Sequence, residues 1–382
     1  TLIPAGGSVV LDVYGDVLTN SNAGTYNPTR LTGAVGFGAS TNASQTVSGT
    51  PVTGQNITIA AGGTLTVTMD ASTPPVQQVV LGATDVPLAT VRFAASNDED
   101  IRINSLEMFA SSSANVFGNL RLFDSGNAVV GTGTALTAST SGAISGFVSN
   151  FSFGTALIVP KNTTRTFTLK GDAADYSSVP AGHAKAHTFR IHGALDVEAY
   201  GNASNQASTV SGLNTALAAN TQTTLRTKMT AALALMGSTT HTRSASDDVA
   251  LLTLSVDPAF GAEFASVSFT LSGSAASNSA GTIDLIDYDT GTSSANTTLS
   301  GSTSYTAKLV LGTPYLITAG TSKKYKVRLN TASAEDTANS TDSLSLQIAT
   351  AGAFEWLLQG GSDENLYLQA KDVPLTVDVS YN

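Results

Sequence analysis

The chain has no cysteine, one tryptophan and few charges, and each scarcity removes a class of function. Without Cys there is no disulfide framework, no thiolate metal site and no thiol nucleophile. Charged residues make up 12% of the 382, with 18 basic against 28 acidic side chains for a net charge of −10. The basic residues are scattered apart from one short run, which speaks against a nucleic-acid partner. No G-x-S-x-G elbow frames any of the many serines and no phosphate-cradling glycine loop occurs, so the expectation is a protein that is not an enzyme and carries no cofactor. The longest apolar-leaning stretch, Met229–Gly237, is too short to span a bilayer. Thr1 is not an initiator Met, and no charged region followed by an apolar one opens the chain, which leaves room for a removed leader or a larger precursor.

What is present is a strand-forming alphabet. Hydrophobic residues are 41% of the chain, ordinary for packed cores, and Ser, Thr, Gly, Ala and Asn dominate the rest. Segments such as TLTVTMD, ATVRFAAS, IRINSLEMF, NLRLF, RTFTLKG and YKVRLN alternate apolar and polar residues, the period of half-buried strands. Runs of Gly, Ser, Thr, Asn and Asp between them are turn chemistry. One stretch, Ser211–Ala234, has a helical alternative, but it is rich in Thr and Asn and lacks a continuous apolar stripe. Low lysine, abundant threonine and absent cysteine suit an exported surface protein.

The chain repeats itself. Ile3–Asp16 (IPAGGSVVLDVYGD) aligns without a gap to Val159–Asp172 (VPKNTTRTFTLKGD) and to Ile317–Asn330 (ITAGTSKKYKVRLN). Each copy is a turn leading into a strand, with Leu11 and Val13, Phe167 and Leu169, and Tyr325 and Val327 at the inward positions. A second pair, Asp85–Phe93 (DVPLATVRF) and Asp248–Val256 (DVALLTLSV), marks where a unit starts, and continuing without a gap sets Ile101 on Phe264. These matches predict tandem Ig-like β-sandwiches: residues 1–84 the closing part of an incomplete one, 85–235 and 236–371 two whole ones of ordinary length, and 372–382 a surplus strand.

An incomplete sandwich exposes unpaired strand edges that invite association. The expectation is that the last strand of one subunit, with Leu375, Val377 and Val379 inward, adds to the partial domain around Leu11 and Val13 of the next. Head-to-tail contacts of this kind do not close, so the product is a homopolymeric fibre. The competing expectation is a piece of a longer array, completed within one polypeptide. In its turn-then-strand and DVPLATVRF-then-NDEDIRI patterns the chain resembles the repeat-built β-sandwich surface and appendage proteins of ultrasmall uncultivated bacteria. That resemblance implies an extracellular envelope or appendage protein without catalytic residues, and the subunit-joining scheme is similar to that of donor-strand-exchange filaments. A surface-layer lattice protein is the nearest alternative. An adhesin or carbohydrate-binding protein is the other, and it needs exposed aromatics, whereas Trp356 beside Phe354 reads as core.

Candidate chemistry is sparse. Asp287 and Asp289 alternate before Gly291, which fits an oxygen-ligand calcium loop or a plain hairpin turn like Asp124-Ser125-Gly126. His183, His187 and His192 cluster in sequence, but no carboxylate stands at ligand spacing. Lys324, Lys326 and Arg328 line one strand face, which fits a solvated guard against edge pairing or a contact with an acidic neighbour. Sequons at Asn42, Asn56, Asn150, Asn162, Asn202, Asn296 and Asn339 leave glycans as a partner class at the frequency that abundant Ser and Thr would give by chance.

Overall fold

The computed structural model describes residues 1–16, 24–27, 29–59, 62–141, 144–213, 217–275, 281–299, 304–333, 341–361 and 365–381. Among these residues the protein is all-β, with only single-turn 3-10 segments between strands. Ser211–Ala234, the stretch with a helical alternative, instead supplies strands at Gln222–Leu225 and Met229–Leu235. The alternation that favours strands is visible in the burial. Leu65 and Val67 are fully buried along Thr64–Met69 while Thr66 and Thr68, alternating with them, are exposed.

The first sandwich pairs one sheet in the spatial order Val129–Thr132, Phe117–Phe123, Thr164–Ala173, Val86–Ala95, Thr64–Met69, Thr209–Ser211. The facing sheet runs Thr137–Ser141, Ile144–Val159, Ile101–Ser111, Lys185–Ile191, Gln222–Leu225, Gln77–Val80. The second sandwich repeats the plan. One sheet runs Met229–Leu235, Asp247–Val256, Ser322–Leu329, Thr282–Asp287, Ser293–Thr298. Its facing sheet runs Thr240–His241, Leu375–Tyr381, Asp342–Ile348, Ala262–Ser272, Phe354–Leu358, Leu366–Tyr367, with Ser304–Ile317 also on Ala262–Ser272. Each sandwich has its own core. Phe93, Phe151, Phe167 and Phe189 belong to the first; Phe264, Phe269, Tyr325, Phe354 and Trp356 belong to the second. A fully buried Phe or Leu contributes about 2 kcal/mol, so these clusters carry the stability.

The pairings draw the units differently from the sequence repeat. Thr64–Met69 and Gln77–Val80 precede the expected start at Asp85, yet Leu65, Val67, Val79 and Leu81 lie in the first core. Met229–Leu235 precedes the expected start of the second unit, yet it pairs along its full length with Asp247–Val256. The Leu375–Tyr381 strand is no surplus either. It closes the second sandwich as Gln222–Leu225 closes the first, and each closing strand takes a parallel partner from the start of its own unit. By pairing, the units run 64–225 and 229–381, with Arg226–Lys228 as the joint.

The register also moves the alignment by two residues. A bulge puts Leu169 opposite Ala89 and Lys170 opposite Pro87; its counterpart puts Val327 opposite Ala250 and Arg328 opposite Asp248. Asp248 therefore occupies the place of Pro87, not of Asp85. Because side chains alternate with period two, a slip of two leaves every residue on its expected face, and hydrophobic pattern alone cannot detect it.

At the joint the sandwiches touch. The Arg226 guanidinium lies 4.1 Å from the ring centre of Tyr176 and 3.3 Å from that of Phe260, favourable cation–π positions. Gln78 N–H donates to Gln369 Oε1 at 3.0 Å, and Gln78 Nε2 donates to the Tyr367 carbonyl at 2.8 Å. A cleft of about 400 Å³ opens beside them, lined by Val76, Leu225, Leu366, Tyr367 and Leu368 among others.

Ahead of Thr64 the described residues build no core. Gly24–Tyr26 pairs with Ile57–Ile59, Arg30–Leu31 with Val52–Thr53, and Gly36–Phe37 with Ser44–Gln45, and these short ladders are mostly exposed. The partial domain expected over residues 1–84 is thus split. Its last strands belong to the first sandwich, and its earlier part contributes nothing to either core among the described residues.

Candidate functional site

The three copies of the turn-and-strand motif are the natural place to look for function, because they share a local structure and differ in what surrounds it. In all three the turn is formed. Gly7 N–H donates to the Pro4 carbonyl, Thr163 N–H to Pro160 and Thr321 N–H to Thr318, at 2.9, 3.1 and 3.1 Å. The third turn residue is left-handed each time, with φ of 72° at Gly6, 57° at Asn162 and 71° at Gly320. Positive φ at that position defines a type II turn and explains the choice of Gly or Asn.

After the turn the copies part. Thr164–Ala173 lies between Val86–Ala95 and Phe117–Phe123, so Phe167 and Leu169 are buried at 2% and 0% exposure. Ser322–Leu329 lies between Asp247–Val256 and Thr282–Asp287, and Tyr325 and Val327 are fully buried. In the first copy Leu11 is 79% exposed and Val13 73%, with Val10 and Tyr14 also open to solvent. Ser8–Tyr14 carries the strand pattern without a strand partner among the described residues. Among the described residues no second strand lies beside Leu11 and Val13 to form an acceptor groove with them.

The residues expected to join subunits at the other end are occupied. Leu375–Tyr381 pairs with Asp342–Ile348 over seven positions, Val377 and Val379 are 5% exposed in the second core, and Leu375 packs at its margin. The far end is tied down. Tyr381 Oη donates to Asp247 Oδ2 at 2.7 Å, and His241 Nδ1 meets Asp247 Oδ1 at 2.8 Å. Burial, and then the bond to Asp247, pushes the Tyr381 phenol well above its ordinary value. The strand is therefore a built-in part of its own sandwich, for the reason that it supplies three of that core's inward side chains.

The Asp287–Asp289 turn holds its own cation. Lys323 Nζ donates to Asp287 Oδ1 at 2.8 Å and to Asp289 Oδ2 at 2.6 Å, with the rings of Tyr315 and Tyr325 alongside. The Asp287 carboxylate also accepts the N–H groups of Asp289 and Thr290. Burial pushes that carboxyl up, but Lys323 and the two N–H groups outweigh it and hold it below the usual range. The Lys323 ammonium is held charged in the same way, its burial overcome by the two carboxylates. An ammonium stands where a calcium ion would need those oxygens, and no group of three or more His, Cys, Asp or Glu side chains that could hold a metal occurs among the described residues.

The remaining candidates resolve into structure. Lys326 and Arg328 both bond Asp248, at 3.0 and 2.6 Å, across the sheet, while Lys324 stays exposed with its ammonium 5.9 Å from the Tyr288 ring centre. His187 is buried against Phe117, its Nε2 3.0 Å from Thr224 Oγ1, and burial pulls its pKa down to about 4. His183 instead accepts the Arg226 N–H at the joint. Trp356 is fully buried with its indole N–H donating to the Tyr367 carbonyl, as a core residue should. Asn339 lies outside the described residues, so the sequon there has no structural setting. No helix among the described residues is long and apolar enough to cross a membrane.

No family model and no curated protein matches the chain. Among solved structures it is similar to the partial N-terminal region of an enterococcal surface protein, covering 84% of this chain and 93% of that one at 8% identity and a TM-score of 0.20. It is also similar to the CFA/I enterotoxigenic E. coli adhesin CfaE, over 95% and 94% at 7% identity and a TM-score of 0.22. The Actinomyces fimbrial adhesin FimA matches over 83% and 96% at 8% identity and a TM-score of 0.17. Scores this low mean that the chains do not superpose as wholes, so function has to be argued from the residues.

Proposed function

We propose that this chain is a structural subunit of an extracellular surface assembly, joined to further copies of itself by strand addition. The observation that carries the reading is the first copy of the motif. Its turn is formed, its alternation is that of two buried strands, and its apolar face stands in water. Exposed apolar strands without a partner favour pairing with another chain. A net charge of −10 without cysteine agrees with a role outside the cell, and the two sandwiches, touching across a three-residue joint, suit a load-bearing unit. The fibre is preferred over a lattice because the one unpaired strand-patterned segment found among the described residues gives one heterologous contact per subunit.

Negative-stain electron microscopy of the full chain and of a chain lacking residues 1–16 tests the reading. Regular fibres from the first and single particles from the second are expected. Single particles from both, at every concentration tried, would sink it. Truncation before Asp372 gives no such test, since it removes a core strand of the second sandwich.

A further inference from the structure

The two sandwiches differ at one edge. In the first, Thr209–Ser211 lies parallel to Thr64–Thr66 and covers the outer side of the Thr64–Met69 strand, with Thr66 Oγ1 and Ser211 Oγ 3.0 Å apart. In the second, the corresponding stretch follows Leu366–Tyr367 and turns to the joint instead, where Gln369 accepts the Gln78 N–H. The strand equivalent to Thr64–Met69, Met229–Leu235, is left with Asp247–Val256 on one side and, among the described residues, no hydrogen-bonded strand on the other.

The free side can be assigned atom by atom. Asp257 N–H donates to the Lys228 carbonyl and Met236 N–H to the Val249 carbonyl. In an antiparallel ladder of unbroken register, bonded pairs alternate. The even-numbered residues therefore bond inward, and Met229, Ala231, Leu233 and Leu235 turn their N–H and C=O groups away from the sheet. The side chains of Ala231, Leu233 and Leu235 are half-buried at the margin of the core, so a strand laid alongside would finish covering them. The usual protections of an edge are missing: Met-Thr-Ala-Ala-Leu-Ala-Leu has no charge, no proline and no bulge. Other edges fit less well. Ser293–Thr298 is small and, apart from Ala295, polar, and Val129–Thr132 has only four residues.

We propose that the Met229–Leu235 edge is the acceptor site for the Ser8–Tyr14 strand of a second copy of this chain. The inference rests on the proposed self-assembly and names its two surfaces. Donor and acceptor match in length, seven residues each. With the parallel orientation that Thr209–Ser211 shows in the first sandwich, Val9, Leu11 and Val13 continue the inner face next to Leu233 and Leu235. Val10, Asp12 and Tyr14 face solvent, beside exposed Thr230, Ala232 and Ala234. The donor precedes the first sandwich and the acceptor belongs to the second, so each subunit offers one of each and the contact propagates head to tail.

Light scattering coupled to size-exclusion chromatography, with circular dichroism to confirm folding, provides the test. The full chain should show a mass that rises with concentration above 38.8 kDa. Ala231→Pro removes one outward N–H without touching the Asp247–Val256 ladder, and Ala232→Lys places a charge on the exposed face of the same edge. Each should weaken association by about tenfold or more. Residue 1–16 deletion leaves an acceptor without a donor, and Ala231→Pro leaves a donor without an acceptor. Neither alone should associate, and mixed they should stop at a 1:1 dimer. Association that persists in folded Ala231→Pro and Ala232→Lys overturns the acceptor site while leaving self-assembly standing. A full chain that stays monomeric removes both, and a donor strand found seated on its own chain's edge removes the second copy.

Discussion

Thr64–Met69 and Met229–Leu235 hold the same place in two sandwiches of the same plan, yet one is an interior strand and the other an edge. The difference is made elsewhere, by whether the stretch after Gly201 or after Leu366 continues into the sheet or turns to the joint. A complete core and a complete sheet are separate achievements, and the second sandwich has the first without the second. The motif copies teach the complementary point. Ser8–Tyr14 has the pattern of an interior strand but, among the described residues, no sheet, so similar local instructions produce burial only where neighbours are supplied.

The sharpest way to break this comparison is to cut the same inward position in each copy. Phe167→Ala and Tyr325→Ala should each cost about 3–5 kcal/mol, because both side chains leave a cavity in a packed core. Leu11→Ala should change the stability of the isolated subunit by less than about 0.5 kcal/mol, as for any exposed site. Denaturant unfolding of the three variants under monomeric conditions measures it, and a large loss at Leu11 would mean that the first copy is already buried.

A smaller effect separates the turns that face the motif. Lys323 in the second sandwich stands where Arg165 stands in the first. Lys323 is 7% exposed between two carboxylates, whereas Arg165 is exposed. Lys323→Ala leaves the half-buried Asp287 without its cation and should cost about 2 kcal/mol, below the range for fully buried pairs because Asp289 is open to water. Arg165→Ala should cost less than about 0.5 kcal/mol. Thermal unfolding in chelator and in millimolar calcium should give the same transition for the unaltered chain; a calcium-dependent rise would show that the ammonium can be displaced.

Much of this was legible in the sequence. Strand content, the inward residues Phe167, Leu169, Tyr325 and Val327, the repeated turn and the burial of Trp356 all follow from alternation and turn chemistry, which are local. What was not legible depends on partners. The two-residue slip between Ala89 and Ala250 is silent to a period-two pattern. The unit boundaries were missed because the closing strands Gln222–Leu225 and Leu375–Tyr381 share a place but hardly a residue, so the last strand read as surplus when it closes the second sandwich. Alternation sets Lys323 on the face of Tyr325 and Val327 and not on that of Lys324, Lys326 and Arg328, but the carboxylates it meets there come from a separate turn that local pattern does not place. The open edge at Met229–Leu235 had no local signal at all, since MTAALAL would read the same with a neighbour or without one.

An effect of about the same size tests whether the two sandwiches respond alike to acid. His187 in the first sandwich stands where Leu344 stands in the second, and its pKa of about 4 in the folded protein lies below the ordinary 6.5 because burial disfavours the imidazolium. The unfolded chain therefore binds a proton first as pH falls. Stability from this group is whole above about pH 6.5 and declines through the window down to about 4, by about 2 kcal/mol between about pH 7.5 and pH 5. The first sandwich should lose about 4–8 °C of melting temperature over that range on this account, and Leu344 gives the second no matching loss. His187→Leu installs the second sandwich's residue, removes the proton-binding site and should flatten the first sandwich's profile. Thr224 keeps the Gly182 carbonyl as its acceptor, so the hydroxyl is not orphaned. Two transitions that shift in parallel with pH in the unaltered chain, and an unchanged slope in His187→Leu, would show that the buried imidazole is not what distinguishes them.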